Sequence, residues 1–300
     1  MSNVGGEFNG CPMLTQEDVH IEYVITSAIS SLKLPNFMKL LEAAIVHGPY
    51  PQVLQEIWDE FKKDDKNKKE AVNQSPKDYA EDEQYQMILC MSIAGEVSLD
   101  SFVISDPDLL CSMLVQATAS LATAEKQFQF EHRDAHTSNI MVHSSDESFI
   151  DYNINDQNIK VKTFGKIAVF IDFGNSRLTK DGKTYNRDIS KDEELFEQYG
   201  ELNFEVYRAM RDLNGNIWDT YHPRSNVLWI SYLLESLTKR RGEVVTKFLK
   251  KKPATKVPLD NRKRIAETLY PLNECGSAEE VMEFFMTDKD ARKLLQNVIN

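Results

Sequence analysis

The chain has 300 residues, 41% hydrophobic and 27% charged, a balance able to bury a core in one large domain or two modest ones. Its 35 basic and 47 acidic residues leave a net charge of −12, which argues against direct nucleic-acid binding and favours a basic protein partner. The four cysteines, Cys11, Cys90, Cys111 and Cys275, are scattered and form no C-x-x-C pair, so neither a disulfide scaffold nor a zinc site is expected. No apolar run approaches the ~20 residues of a membrane span, and the first residues carry neither a basic n-region nor an apolar h-region. The expected location is nuclear or cytoplasmic, with no membrane partner.

In chain order, the Gly-rich residues 1–14 read as a frayed terminus. Thr15 to Leu32 reads as a helix with Val24, Ala28, Ile29 and Leu32 on one face, ended by Leu34-Pro35. A short helix is expected over Phe37 to Val46, then a turn at His47-Gly48-Pro49-Tyr50-Pro51. Val53, Ile57 and Phe61 repeat at helical spacing. Lys62 to Asp82 is nearly all charged or polar and reads as a solvated loop; its lysine pairs could otherwise serve as a localisation signal. Gln86 to Met91 reads as a buried strand, and Ala94-Gly95 as a bend. Asp106-Pro107 is a helix start, with Asp as N-cap and Pro at the first helical position. Leu110, Met113, Leu114, Ala117, Leu121 and Ala124 form the apolar stripe of that helix. Ile140 to His143 reads as a strand, Phe149 to Phe164 as a polar hairpin turning near Asn155-Asp156, and Ala168 to Ile171 as a buried strand. Beyond Asp188 the pattern is helical to the end, with Ser277 and Glu280 as a capping box.

Two stretches carry chemistry. His132-Arg133-Asp134, followed five residues later by Asn139, has the spacing of the protein-kinase catalytic loop. An Asp there orients a substrate hydroxyl and accepts its proton, and the Asn returns to the same cleft to hold a metal through its side-chain oxygen. The apolar run ending in Asp172-Phe173-Gly174 places a second carboxylate at a strand end, where a kinase holds magnesium. Either motif alone recurs by chance; the two in this order, with Asn139 in place, are a specific signal.

Over about residues 15–300 the chain resembles the haspin branch of atypical eukaryotic protein kinases. The resemblance rests on Phe130-Glu131-His132-Arg133-Asp134 with His136, on Asp188 to Phe196, on Trp218, and on the run Tyr221 to Trp229. Gly48-Pro49-Tyr50-Pro51 and Trp58-Asp59 also match, and no Ala-Pro-Glu activation-segment motif is present. The resemblance implies a monomeric serine/threonine kinase using ATP and Mg2+ on a basic protein such as a histone tail. Asp134 would be the base, with Arg133 and His136 beside it, His136 near the substrate. Asn139 and Asp172 would hold magnesium. Met91 would back the nucleotide pocket, and Ser92 and Ile93 would give backbone contacts to adenine. Asp192 and Glu194 would grip the basic substrate; without the resemblance, Asp192-Glu193-Glu194 reads as a solvated helix start. Trp218, His222 and Trp229 read as structural.

The departures lie upstream. Kinases need a Gly-rich loop and a strand-borne Lys paired with a helix Glu. Gly5 to Gly10 lacks the loop's spacing, the first lysine is Lys33, and Ala28 stands where the family's helix Glu falls. The expected fold is therefore α+β and protein-kinase-like, with a mostly helical C-terminal lobe over 94–300, a truncated N-terminal lobe over 15–93, and a frayed end over 1–14. The apolar face of the Thr15–Leu32 helix is expected to lie exposed. A catalytically impaired pseudokinase that docks a basic peptide is the alternative to an active kinase. A small-molecule phosphotransferase, which shares a His-x-Asp loop, is disfavoured by Arg133, by Asp172-Phe173-Gly174 and by the Tyr221–Trp229 run.

Overall fold

The computed structural model describes residues 7–8, 11–12, 14–63, 75, 85–238 and 255–300. Most of the 1–14 stretch and nearly all of the loop expected over 62–82 lie outside the described residues. The chain divides into two compact units, Met1–Tyr23 with Leu40–Met91, and Val24–Lys39 with Ser92–Asn300. Among the described residues, no helix is long and apolar enough to cross a membrane.

In the first unit, β1 (Glu7–Phe8) pairs with β2 (Cys11–Pro12). Helix α1 (Gln16–Ser30) starts on a reciprocal cap: Thr15 Oγ1 accepts from the Asp18 N–H at 3.1 Å, and Asp18 Oδ2 accepts from the Thr15 N–H at 3.0 Å. Where a helix is expected over Phe37 to Val46, the chain forms β3 (Leu40–His47), antiparallel to β4 (Tyr85–Met91) from Leu40↔Met91 to His47↔Tyr85. Local propensity favours a helix over Leu40 to Ala44, but a partner strand some forty residues away takes up the backbone groups along one edge of β3 instead, and pairing overrides propensity. Strand β4 is not the buried strand expected, since Tyr85 and Ile88 are exposed. Helix α2 (Gln52–Phe61) has the expected spacing, with Val53, Ile57 and Phe61 turned to solvent.

The C-terminal half of α1 belongs to the second unit, and there the expectation of an exposed apolar face fails. Ile25, Ala28 and Ile29 are fully buried together with Thr26. Helix α3 (Pro107–Phe128) is the axis of this unit: 15 of its 22 residues are buried, including the whole predicted stripe. Asp106 caps it by accepting from the Asp108 N–H at 2.9 Å. A helix buried nearly all round must satisfy its polar side chains internally. Gln116 does so by donating to Ser112 Oγ and the Lys166 carbonyl while accepting from the Ala168 N–H.

Beside α3 lies the sheet β5 (Val97–Ser98), β6 (Ile140–Ser144) and β9 (Lys166–Phe170), in register Ile140↔Phe170 to Ser144↔Lys166. Gly95 runs so close to β6 that a Cβ would sit 2.5 Å from the Val142 carbonyl oxygen, so no other residue fits there. On the other edge, Phe170 donates to the Asn36 carbonyl at 2.7 Å and accepts from the Met38 N–H at 3.1 Å. The predicted hairpin is β7 (Phe149–Ile154) and β8 (Gln157–Lys162). Asn155 and Asp156 both have positive φ, as a two-residue turn matched to strand twist requires. A second hairpin not foreseen in the sequence follows, β10 (Arg177–Lys180) with β11 (Lys183–Asn186). Among the described residues beyond 192 the helices are α4 (Glu193–Glu197), α5 (Leu202–Asn214), α6 (Arg224–Thr238), α7 (Leu259–Leu269), α8 (Ala278–Thr287) and α9 (Lys289–Leu295); residues 239–254 of the stretch expected to be helical lie outside the described residues. In the capping box of α8, Ser277 Oγ accepts from the Glu280 N–H at 3.1 Å, but Glu280 reaches back one residue further, to the Gly276 N–H at 2.6 Å.

Candidate active site

Helix α3 stops at Gln129, whose left-handed conformation (φ 48°) turns the chain into the catalytic stretch. The stretch is then fixed residue by residue. Glu131 and Arg177 exchange both backbone hydrogen bonds at 2.9 Å. Asn226, on α6, accepts from the His132 N–H and donates to the Phe130 carbonyl. His132 is fully buried against Phe170 and Phe173, and burial pushes its imidazole down to about 4, so it is a neutral packing residue near neutral pH.

Arg133 has φ 63°, a left-handed backbone disfavoured in a residue with a Cβ. It persists because the side chain is clamped: Nε and Nη2 each donate to a Glu131 carboxylate oxygen at 3.2 Å, and the guanidinium lies 5.4 Å from the Trp218 ring centroid. The same carboxylate accepts from the His222 N–H and the Ser225 hydroxyl and has Arg177 Nε at 4.0 Å. Arg133 lies beside Asp134 in the chain and has no exposed surface. It acts on the backbone that carries Asp134.

The three motif residues converge. Asn139 Nδ2 donates to the Asp134 carbonyl at 3.0 Å, and the Ile171 N–H donates to the Asn139 carbonyl at 3.0 Å, seating Asp172 beside Asn139. Asp172 also has positive φ (61°), is exposed, and turns its Oδ1 to the Gly174 N–H at 3.3 Å. With its N–H2 spent on Asp134, Asn139 has its side-chain carbonyl oxygen to offer. That oxygen and the Asp172 carboxylate are hard donors from neighbouring residues, a set that suits magnesium, which takes one or two protein oxygens and fills its octahedron with water and phosphate. Among the described residues no group of three or more His, Cys, Asp or Glu is placed to hold a metal ion together, as a zinc site would need.

Asp134 itself is nine-tenths buried. Burial pushes its carboxyl up to about 6; nearby Asp172 adds to the rise, while His136, Tyr207 and Asn175 oppose it. Oδ1 accepts from the Tyr207 hydroxyl at 2.5 Å and has His136 Nε2 at 3.3 Å; Oδ2 accepts from Asn175 Nδ2 at 3.3 Å. Arg187 Nη1 donates to Asn175 Oδ1 at 3.1 Å, and its Nη2 pairs with Asp192 at 2.8 Å. A polar chain therefore runs Asp134–Asn175–Arg187–Asp192. Glu194 stands exposed in the first turn of α4. Met91 ends β4 in the first unit. Ser92 donates its N–H to the Lys39 carbonyl at 2.8 Å and accepts the Lys39 N–H on its hydroxyl at 3.1 Å, and Ile93 is 86% exposed. Trp218 and Trp229 are buried, as their apolar surroundings imply.

Tyr207, Asn175 and Arg187 are absent from the sequence reading. Asn175 follows Asp-Phe-Gly directly and could have been flagged by position. Tyr207, in an amphipathic helix 73 residues from Asp134, carries no local signal.

A family model described as "Haspin like kinase domain" matches residues 11–261. The chain belongs to that family. It is similar to the proteins named serine/threonine-protein kinase haspin of Bos taurus and Mus musculus, 34% identical to each over 237 residues. The match covers 76% of this chain but only 30% and 31% of those two relatives. It is also similar to the haspin homolog of Drosophila melanogaster, at 29% identity over 75% of this chain and 40% of that protein. The chain thus spans under half the length of the curated relatives it matches. The haspin-like domain accounts for the α+β, protein-kinase-like architecture.

Proposed function

We propose that the chain is a haspin-type protein serine/threonine kinase that transfers the γ-phosphoryl group of ATP to a hydroxyl on a basic protein, a histone tail being the substrate class the acidic surface suits. The observation that carries this is the adjacency of Asp134, Asn139 and the exposed Asp172 within the second unit, tied through the Asn139–Asp134 and Ile171–Asn139 hydrogen bonds.

In this reading Asp134 orients the substrate hydroxyl and takes its proton; a carboxyl raised to about 6 by burial is poised for that near neutral pH. Asn139 and Asp172 present oxygens to magnesium, which when bound neutralises phosphate charge. His136 flanks the base on the substrate side. Arg133 fixes the loop backbone. Met91, Ser92 and Ile93 serve the adenine. Asp192 and Glu194 supply the acidic grip, and the protein acts as a monomer without direct nucleic-acid contact, in keeping with its net charge of −12. One observation favours the second reading, an impaired kinase that binds a basic peptide: Ala28, where the resemblance expects a carboxylate, is fully buried and offers no partner for a phosphate-holding Lys.

The test is transfer of radiolabelled phosphate from ATP with Mg2+ to a histone-tail peptide by the purified chain, beside Asp134→Asn. Transfer cut to a small residual rate by the substitution supports the kinase reading. Peptide binding without transfer supports the binding module.

A further inference from the structure

Asp134 is held from both ends of its carboxylate, and the two ends are held differently. A carboxylate offers about four acceptor positions, two on each oxygen. On Oδ1 one is taken by the Tyr207 hydroxyl at 2.5 Å and the other faces His136 Nε2 at 3.3 Å. On Oδ2 a single donor, Asn175 Nδ2, lies at 3.3 Å. One acceptor position remains, and it is on Oδ2.

Tyr207 is built to hold its end. It is 2% exposed, on the buried face of α5 with Val206 and Met210, and its ring meets the fully buried Trp229 of α6 edge-on at 5.5 Å. The ring is therefore fixed by two helices before the hydroxyl meets the carboxylate. The Asn175 amide is oriented in turn by Arg187, so its N–H2 faces Asp134.

We propose that Tyr207 is a positioning residue for phosphoryl transfer: its hydroxyl pins Oδ1 of Asp134, which makes Oδ2 the atom that receives the substrate proton. The inference rests on the reading of Asp134 as the base. In the step it describes, the substrate hydroxyl gives its proton to Oδ2 while its oxygen forms a bond to the γ-phosphorus. The bond from that phosphorus to the bridging oxygen breaks, and ADP leaves with the electron pair. A base free to rotate about χ2 would present either oxygen; one pinned by a phenol presents one, and orientation of this kind carries much of the catalysis in phosphoryl transfer.

Tyr207→Phe removes the hydroxyl and keeps the ring against Trp229. In steady-state assays of the full chain, kcat is expected to fall ~10–100-fold, a share of what a positioned base supplies, with KM for ATP and for peptide unchanged within about twofold. In an Asp134→Asn background the same substitution should leave the residual rate unchanged, because the carboxylate it serves is gone. Val206→Ala, on the same buried face, controls for packing: it should lower Tm and spare kcat. A downfield hydroxyl proton resonance should appear in the unaltered chain and vanish in both Tyr207→Phe and Asp134→Ala, a signature that needs no turnover. Unchanged kcat in Tyr207→Phe, or an equal loss in the Asp134→Asn background, overturns the inference. Full transfer by Asp134→Asn, or no transfer by the unaltered chain, would instead overturn the reading of Asp134 as the base, and this inference with it.

Discussion

The side-chain amide of Asn226 donates to Glu125 Oε1 at 2.8 Å, joining α6 to the last turn of α3 across 101 residues of sequence. The same nitrogen donates to the Phe130 carbonyl at 2.8 Å, and Oδ1 accepts from the His132 N–H at 3.1 Å. One buried side chain thus sets where α3 ends and where the catalytic stretch begins. Asn226→Ala removes three hydrogen bonds and strands their partners in the interior. At about 1 kcal/mol each the loss is ~3 kcal/mol, or roughly 6–12 °C in Tm for a unit of this size. Thermal denaturation measures it directly. A drop under about 2 °C would mean the loop is held elsewhere.

Glu125 yields a pH prediction. Burial pushes its carboxyl up to about 8, above its ordinary value of 4.5, although Asn226 and the Ala278 N–H both donate to it. The folded state then binds a proton that the unfolded state releases. The stabilisation is complete below pH 4.5 and is lost as pH rises through 8. Glu125→Gln removes this titration at the cost of one acceptor for the Ala278 N–H. Urea midpoints at pH 5 and pH 8 should show the wild-type chain losing more stability than the variant over that interval, a difference on the order of a few kcal/mol. Parallel pH profiles would show that the carboxyl ionises without penalty.

A third expectation concerns the buried charges beneath the site. Glu131 compensates Arg133 and lies 4.0 Å from Arg177, and all three are buried. Glu131→Ala leaves both guanidiniums without their carboxylate, a change that typically costs about 3–5 kcal/mol. Because the penalty is uncompensated charge, adding Arg133→Met should restore part of the stability, which additive packing losses would not do. Denaturant unfolding of the single and double variants decides it; a double variant weaker than the sum of the singles would refute the charge argument.

How much of this was legible in the sequence depends on the distance over which each feature is decided. Asp134, Asn139 and Asp172 were legible because loop length and a strand end dictate their spacing. Helix α3 announces itself by periodicity, and the β7–β8 hairpin by the turn residues Asn155-Asp156. Strand β3 was not legible: Leu40 to Val46 reads as helix, and only pairing with β4 makes it a strand. The burial of Ile25, Ala28 and Ile29 is likewise a packing outcome that the α1 stripe alone does not assign. The clamps on the site, Tyr207 on Asp134, Asn226 on His132 and Ser225 on Glu131, bridge 73, 94 and 94 residues, beyond any local pattern. The string Phe130-Glu131-His132-Arg133 gives no sign that its carboxylate lies between two guanidiniums.

The proposed acidic grip divides into two residues with different loads. Asp192 pairs with Arg187 at 2.8 Å, and Arg187 orients Asn175 against Asp134. Glu194 is exposed and outside that chain. Glu194→Lys should therefore raise KM for a basic peptide and leave kcat alone. An exposed pair is worth about 0.2–1 kcal/mol, so a loss of roughly 1.4-fold to fivefold is expected, larger for a full charge reversal at low salt. Asp192→Lys should raise KM and also lower kcat, because repulsion of Arg187 disturbs the amide that faces the base. Both KM effects should shrink between low and high ionic strength as the charges are screened, while the kcat effect of Asp192→Lys, carried by short and partly buried contacts, should persist. Steady-state kinetics with a basic peptide at two salt concentrations separate the two residues. Equal kcat in Asp192→Lys and wild type would cut the link from Asp192 to the base, and unchanged KM in both variants would remove them from the docking surface.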